Sequence, residues 1–566
     1  MSNAKPWIAN YPPELPVSLE YPRVPLTQLL EQTTEKFPQQ YALSFFGKRI
    51  TYSELLSMSY QFAHALIRRG VKKGDRVAIM LPNSPQAVIA YYGALFAGAI
   101  VVQTNPLYTE RELTHQMVDS GAETIIALDL LYNRIMNVKP STPLKRVVMT
   151  AVSDFLPFIK KLLFPLVQRK QGTTVPTIRF TNEVEPFLAL LHETAPTPIK
   201  VDVDPERDLA LLQYTGGTTG VAKGVMLSHM NLVANTIQCQ SILYKMVPGQ
   251  EKILGVLPLF HVFGMTGVMN YGVSIGAEII LAPKFDVTQV LKLIHKERPT
   301  MFPGAPTMFI GLINHPDLQK YDLSSIKACV SGSAPLPLEV QSRFEQLTGG
   351  KLAEGYGLTE TSPVTHSNPF WGKRVNGSIG LPWPDTDCRI VDPNADEILP
   401  AGGIGELAIK GPQVMQGYWN RPEDTAAVLR DGWILTGDMA YMDKDGYFYI
   451  VDRKKDMIIA GGFNIYPREV EEVLFEHPAV QEAAVIGVPD PYRGETVKAF
   501  IVTKAGHEVS EEELDRFCRS KLAAFKVPRQ YEYRTELPKT MVGKVLRRQL
   551  QEEEKKRQNE QSIKLG

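Results

Sequence analysis

Cysteine is scarce: four residues in 566, Cys239, Cys329, Cys388 and Cys518, far apart and with no CxxC pair. That argues against a disulfide framework and against a cysteine-built zinc site. Cys518 shares the apolar side of an expected helix with Leu514, Phe517 and Leu522, so it reads as a core thiol. No charge of either sign is in excess, because Lys plus Arg and Asp plus Glu both number 61. Nucleic-acid partners normally demand a basic excess, so none is expected. No run of about 18 apolar residues exists to cross a bilayer. The opening residues, MSNAKPWIANYPPELP, lack the basic head and apolar core of a secretory signal. The expected protein is soluble and cytoplasmic, with peripheral contact at the inner face of the membrane left open. No internal repeat is visible, and the G-x-G-x-x-G dinucleotide fingerprint is missing.

What is present is length and alternation. A chain of 566 residues is too long for one compact core, so two or more domains are expected. ITYSELLSMSYQFAHALIRRG has helical spacing and a Gly stop; DRVAIML (75–81) reads as a buried strand closed by Pro82. A helix (SPQAVIAYYGALFAGA), a strand (IVVQ), a helix (TERELTHQMVDSG) and a strand (ETIIALD) follow. Strand–helix alternation at this spacing implies a parallel sheet covered by helices. The same texture returns at 205–350. After residue 375, Gly-rich short β runs suggest an antiparallel sheet or small barrel. Past residue 455, PREVEEVLFEHP and SEEELDRFCRSKLA read as helices, VQEAAVIGVPD and ETVKAFIVT as strands. Pro467 stands near the first helix start, and Ser510 with Glu513 makes a capping-box pattern on the second.

The most specific local feature is LLQYTGGTTGVAKGVMLSH (211–229). An apolar strand leads into Thr215, Gly216, Gly217, Thr218, Thr219 and Gly220, with Lys223 and Gly224 beyond. Glycines let backbone N–H groups approach a phosphate, hydroxyls donate to its oxygens, and Lys223 adds positive charge. Walker A chemistry is excluded, because Gly224 stands where Ser or Thr would hold magnesium. As a bare structural element the segment is a Gly/Thr turn between a strand and a helix.

This loop resembles the phosphate loop of the adenylate-forming superfamily, which holds acyl-CoA synthetases, luciferases and peptide-synthetase adenylation domains. It departs from the usual pattern at Gly216, where Ser is usual, and at Ala222, where Pro precedes the Lys. SGSAPLP (331–337) and LAEGYGLTETSP (352–363) resemble the superfamily's nucleotide-pocket motifs. They imply ATP or AMP contacts at Gly332, Ser333, Ala334, Glu354, Gly355, Tyr356, Gly357, Leu358 and Thr359. Tyr356 would stack on adenine, Thr359 would touch the α-phosphate, and Glu360, with Thr218, would hold Mg2+. By the same resemblance, in 431–472, Asp438 and Arg453 would hold the ribose, and Asp452 to Lys455 would form a hinge. Gly461 and Gly462 would flank the coenzyme A arm. In LPKTMVGKVLRRQL (537–550), Lys544 resembles the lysine that bridges the substrate carboxylate and the α-phosphate. Lys544, Glu360, Thr215 and Lys223 are the residues expected to carry the chemistry. These motifs stand in family order over roughly residues 25 to 550.

YTGGTTGVAKG, LFHVFG and EGYGLTETSP match bacterial long-chain fatty-acyl-CoA synthetases closely, which implies a fatty acid, ATP and coenzyme A as substrates. The apolar stretch 256–285 and PGAPTMF (303–309) would then wall the acyl pocket, with His261, Val262, Phe263, Gly304 and Pro306 on it. The implied fold class is α/β: a large N-terminal domain of stacked parallel sheets with helices plus a small β-barrel-like subdomain, and a small mobile α+β C-terminal domain. The expected boundaries are 1–451, a hinge at 452–455, 456–550, and a solvated tail at 551–566. Residues 143–172 mix aromatic and aliphatic with basic side chains, as a membrane-surface segment would, although Pro157 and Pro165 restrict helices there to short pieces. A homodimer is left open. Rival readings are a medium-chain or aryl acid–CoA ligase, a fatty-acid carrier without catalysis, and a serine hydrolase built on Gly272–Val273–Ser274–Ile275–Gly276.

Overall fold

The apolar runs become strands and the amphipathic stretches between them helices in the computed structural model of the chain. It describes residues 5–170, 172, 174–215, 222–395, 397–460, 463–490, 492–540 and 543–565. Two compact units emerge. One comprises Trp7–Asp387 with Lys410–Ile434; the other is built chiefly from Cys388–Ile409 and Leu435–Gly566. The fold is mixed α/β, with a large N-terminal part of sheets and helices and a small C-terminal domain.

In the larger unit an eight-stranded sheet runs in the order Gly417–Tyr418, Lys223–Ser228, Leu209–Thr215, Ile100–Gln103, Arg76–Met80, Thr124–Leu128, Arg146–Thr150, Val184–Pro186. From Leu209–Thr215 to Val184–Pro186 every pairing is parallel. These central strands are buried on both faces, which is why they read as unbroken apolar runs instead of alternating ones. The covering helices begin where the sequence supplies caps. Thr51 and Glu54 form a capping box at Tyr52–Arg68, and Thr109 with Glu112 does the same at Glu110–Ser120, which Gly121 ends in the left-handed region (φ 64°). The helix Pro85–Phe96 is buried all round. A Cβ on its Gly93 would lie 2.8 Å from the Phe62 ring, so this glycine sets how closely two helices approach.

A second layer joins Lys252–Gly255, Glu278–Leu281 and Tyr41–Phe45 in parallel. Bridges through Met301 lead on to the parallel pair Ala328–Ser331 and Lys351–Gly357.

In the smaller unit, Val480–Asp490 and Gly494–Thr503 form a long antiparallel ladder, with Gln530–Tyr533 added in parallel. Period-two alternation sends Ala483, Val485, Val497 and Ala499 to one face, where they pack with Val470, Leu474, Leu514 and Cys518. Ala484, Ile486, Val488 and Phe500 go to the other face, where Leu537 and Leu550 cover them. Cys518 is therefore a core thiol, its pKa pushed up to about 11 by burial. Leu550 belongs to the helix Arg547–Leu565, whose buried Glu554 pairs with Lys498 at 2.8 Å.

Two local expectations change. Residues Phe158–Lys170 form one helix with Pro165 inside it, not short pieces. Its side chains are largely exposed, so water can serve the carbonyl that loses its donor to Pro165. Ser274 ends the helix Tyr271–Ser274 and the strand Glu278–Leu281 follows, the reverse of the strand–serine–helix order of a nucleophile elbow. Its hydroxyl donates to the Tyr271 carbonyl and accepts from Gln240. The serine hydrolase reading is discarded.

Candidate active site

The candidate residues fall into two groups, one in each unit. In the larger unit the phosphate-loop segment joins two antiparallel strands, Leu209–Thr215 and Lys223–Ser228, with Thr215 opposite Lys223. The element after the loop is thus a strand, and a helix begins only at His229. Gly216, Gly217, Thr218, Thr219 and Gly220 lie outside the described residues. At the hairpin's mouth, Lys223 Nζ sits 2.7 Å from Asp424 Oδ1 and 5.1 Å from the centre of the Tyr418 ring. The Tyr418 hydroxyl donates to Glu360 Oε1 at 2.8 Å. Burial and the Glu360 charge push the Tyr418 pKa well above its ordinary value, so it remains a donor. Lys223 and Glu360, 137 positions apart by their numbers, are thereby brought to the same aromatic ring.

Glu360 lies in a tight turn that follows the strand Lys351–Gly357. Leu358 N donates to the Pro363 carbonyl, and the Glu360 carbonyl accepts from Met415 N at 2.8 Å. A Cβ on Gly357 would lie 2.1 Å from the Pro363 oxygen, so only glycine permits this closure. The Tyr356 ring meets His366 edge-on at 5.7 Å, and Glu354 accepts from Leu336 N. Ser333 takes φ 73°, a left-handed conformation that an L-residue adopts at a cost of about 1 kcal/mol, a kind of strain that clusters at ligand-binding loops. Thr359 opens the turn, with its carbonyl accepting from Ser362 N; Ala334 lies in the loop that follows Ser331.

The proposed acyl residues also meet. Gly304 N donates to the Val330 carbonyl, and Gly332 N to the Gly304 carbonyl, setting the two glycines side by side. Added Cβ atoms would lie 2.9 Å from the Phe263 ring at Gly332 and 3.1 Å from the Phe309 ring at Gly304. His261 Nδ1 accepts from Phe263 N, capping a short helix with Val262 buried in it, and a π-helical turn at Met265–Asn270 continues it. Such turns are frequent at functional sites. Pro306 begins the helix Pro306–Ile313.

In the smaller unit Asp438 and Arg453 face each other across adjacent antiparallel strands, and Arg453 Nε lies 2.6 Å from Asp438 Oδ1. Asp438 is 2% exposed. Lys544 sits in a turn closed by Thr540: Thr540 N donates to the Lys544 carbonyl, and Lys544 N to Thr540 Oγ1. The Lys544 side chain keeps an exposed face. Even so, protein crowded around the ammonium, then the Arg453 guanidinium, pushes its pKa down to about 8 against the pull of Asp438 and Asp456. Burial likewise lowers the pKa of Lys455 and raises that of Asp452. Gly461 and Gly462 lie outside the described residues. Sequence reasoning missed Tyr418, Asp424 and Arg547; nothing local in GYWNRPEDT or KVLRRQL separates them from surface residues.

A glycine loop on a hairpin, a carboxylate and a lysine around one tyrosine, and a buried Asp–Arg pair beside a lysine of lowered pKa suit a protein that handles a nucleotide's phosphates and ribose. Residues 30–419 match the AMP-binding enzyme family, and residues 469–544 match the AMP-binding enzyme C-terminal domain. The chain belongs to the AMP-binding enzyme family.

Over 555 residues, the chain is 55% identical to a long-chain-fatty-acid–CoA ligase of Bacillus subtilis, covering 98% of this chain and 99% of that protein. It is 41% identical over 553 residues to a long-chain-fatty-acid–CoA ligase of Escherichia coli, covering 97% and 98%. Among solved structures, ATP-bound MatB from Rhodopseudomonas palustris aligns with a TM-score of 0.81 at 30% identity, over 94% of this chain and 99% of that one. The anthranilate CoA ligase AuaEII in complex with anthranoyl-AMP aligns with a TM-score of 0.84 at 28% identity, over 96% and 98%.

Proposed function

We propose that the chain activates a long-chain fatty acid with ATP as the acyl-adenylate and transfers the acyl group to coenzyme A. The observation that carries the substrate class is the near full-length identity to the Bacillus subtilis ligase. In the first step a carboxylate oxygen attacks the α-phosphorus, the bond to the β-phosphate oxygen breaks, and pyrophosphate leaves. In the second the coenzyme A sulfur attacks the acyl carbon, the bond to AMP breaks, and the thiol proton passes to solvent.

Each step has its residues. Thr215, Lys223 and the loop between them are assigned to the phosphates, Asp438 and Arg453 to the ribose, and Lys544 to the charge that builds on the carboxylate and α-phosphate. Losing one such positioned charge costs on the order of 10²–10³ in rate. Glu360 fits a magnesium–nucleotide complex, which needs one or two protein carboxylate oxygens and takes its other ligands from phosphates and water. Tyr418 occupies one Glu360 oxygen and holds the carboxylate in place. Magnesium bound there would supply charge neutralisation at the phosphates. Phe263, Gly304 and Gly332 are assigned to the acyl wall, where each buried CH₂ contributes about 0.8 kcal/mol. The domain boundary at 451, a hinge at 452–455 and a coenzyme A path past Gly461 and Gly462 belong to the same proposal; the expected tail from 551 instead begins inside the helix Arg547–Leu565, where Glu553 and Glu554 pair with Arg534 and Lys498.

The helix Phe158–Lys170 supports peripheral membrane contact. Phe158, Ile159, Leu162 and Leu166 are 82, 71, 71 and 64% exposed, beside Lys161, Arg169 and Lys170. Phe155 and Leu156 are buried and root the segment in the body. Liposomes with anionic lipid should float the wild type and not Phe158→Ser/Ile159→Ser/Leu162→Ser; equal flotation removes the membrane contact. No helix among the described residues is long and apolar enough to cross a membrane. The ligase reading itself is tested by pyrophosphate release with ATP across acids of 2 to 18 carbons and an aryl acid. Release should be greatest with the long chains, and release only with short or aryl acids would overturn the substrate class.

A further inference from the structure

Arg547 stands three residues past Lys544 and, by sequence, is one of two adjacent arginines. They fare differently. Arg548 is half exposed and pairs with Glu552 one turn on in its own helix. Arg547 turns inward and gathers three carboxylates. Its Nε and Nη2 take Glu471 as a two-pronged pair at 3.1 and 2.6 Å, and its Nη1 lies 3.4 Å from Asp456 and 3.6 Å from Asp452. Glu471 also accepts from Val485 N at 2.8 Å. One guanidinium thus ties together the segment 452–456, the helix Pro467–Phe475 and the start of the helix that follows the Lys544 turn.

Asp452 is the telling partner. It is 3% exposed, and its two oxygens accept from Arg453 N and Arg468 N at 2.7 Å each. The side chains of those two arginines go elsewhere, Arg453 to Asp438 and Arg468 to Glu472 and the Ile450 carbonyl. Backbone donors hold this carboxylate in one orientation, and Arg547 supplies positive charge to it from across the fold. A backbone rotation at 452–455 would swing Asp452 away from Arg468 N and from Arg547, and the contact from Arg547 to Asp452 would have to break. Its pairs with Asp456 and Glu471, whose partners all lie beyond that segment, would not.

We propose that Arg547 is a positioning residue for adenylation: anchored by Glu471 and Asp456, it latches the Lys544 turn to Asp452, so that Lys544 is held in place only while the 452–455 segment keeps this setting. The inference rests on the roles given above to Lys544 and to the hinge. In Arg547→Met, pyrophosphate release with fatty acid and ATP falls at least tenfold through kcat, while thiolation of supplied acyl-adenylate stays within about twofold. Arg547→Lys keeps the charge and recovers part of the loss. Because Arg547→Met leaves Glu471 without its partner and could prevent folding, Arg547→Met/Glu471→Gln provides a second measurement with the same expected split. Arg548→Met is the surface control and leaves both half-reactions unchanged. An equal fall of both half-reactions in folded protein, or adenylation unchanged in both Arg547 variants, overturns the latch. Wild-type protein that releases no pyrophosphate would instead strike at the ligase reading, before any variant is compared.

Discussion

The pH dependence of adenylation follows from the surroundings of Lys544. In the role proposed for it, bridging two anions, the side chain must be an ammonium. An ordinary lysine stays protonated beyond pH 10, so its loss would go unseen in a working range. Here crowding around the ammonium and the Arg453 guanidinium bring the pKa down to about 8. At that value about nine-tenths of the molecules carry the charge at pH 7 and about one-tenth at pH 9. The sign is fixed: raising the pH through 8 removes the charge, so adenylation falls about tenfold between pH 7 and pH 9. The assay is pyrophosphate release in a single turnover without coenzyme A, whose own thiol would otherwise titrate in the same range. Lys544→Gln should be slow, by about 10²–10³, and should lack this alkaline limb. Adenylation that stays flat from pH 7 to 9.5, or a Lys544→Gln variant with the same limb as wild type, would refute the reasoning.

The hydrogen bond from Tyr418 to Glu360 is of the charge-assisted kind, worth about 1.5–3 kcal/mol. Tyr418→Phe keeps the ring beside Lys223 and should lower pyrophosphate release about tenfold at limiting magnesium, with the requirement for the ion rising; an unchanged magnesium titration contradicts this. Gly357→Ala places a methyl 2.1 Å from the Pro363 oxygen and should cost about 1–3 kcal/mol, read as a lowered thermal midpoint with nucleotide binding lost alongside. Buried His229 and His366 have pKa values pushed down by burial to about 4 and about 3. Unfolded chain therefore binds protons that the folded chain refuses below about pH 6.5. The stability is complete above that pH and is lost as pH falls, by about 3 kcal/mol for His229 alone on reaching its folded value. Urea unfolding at pH 7 and pH 4.5 measures it, and His229→Gln should have the shallower dependence.

Much of the fold was legible because its signals are local. DRVAIML and ETIIALD carry the unbroken apolar runs VAIML and IIAL, since they lie in the middle of a covered sheet, and Thr51–Glu54 and Ser510 announce helix starts within four residues. The same locality explains the errors. Proline at 165 argues for a broken helix unless the helix is known to face water. The phosphate loop gives no sign that Lys223 opens a strand, because that strand is defined by its partner Leu209–Thr215. Motif residues such as Glu360 and Asp438 could be singled out by resemblance. Tyr418 and Arg547 could not, because what distinguishes them is a partner 58 or 76 residues away. Arg547 and Arg548 are the same residue type side by side, and only the packed helix decides which one is buried among carboxylates.

An oxygen-isotope experiment tests the central claim most directly. Fatty acid labelled with ¹⁸O in its carboxylate is turned over with ATP and coenzyme A, and the nucleotide product is weighed. Attack on the α-phosphorus leaves one labelled oxygen on AMP for each acyl-CoA formed, with none in pyrophosphate, and that is the expected result. ADP with labelled inorganic phosphate, or unlabelled AMP, would contradict an acyl-adenylate intermediate.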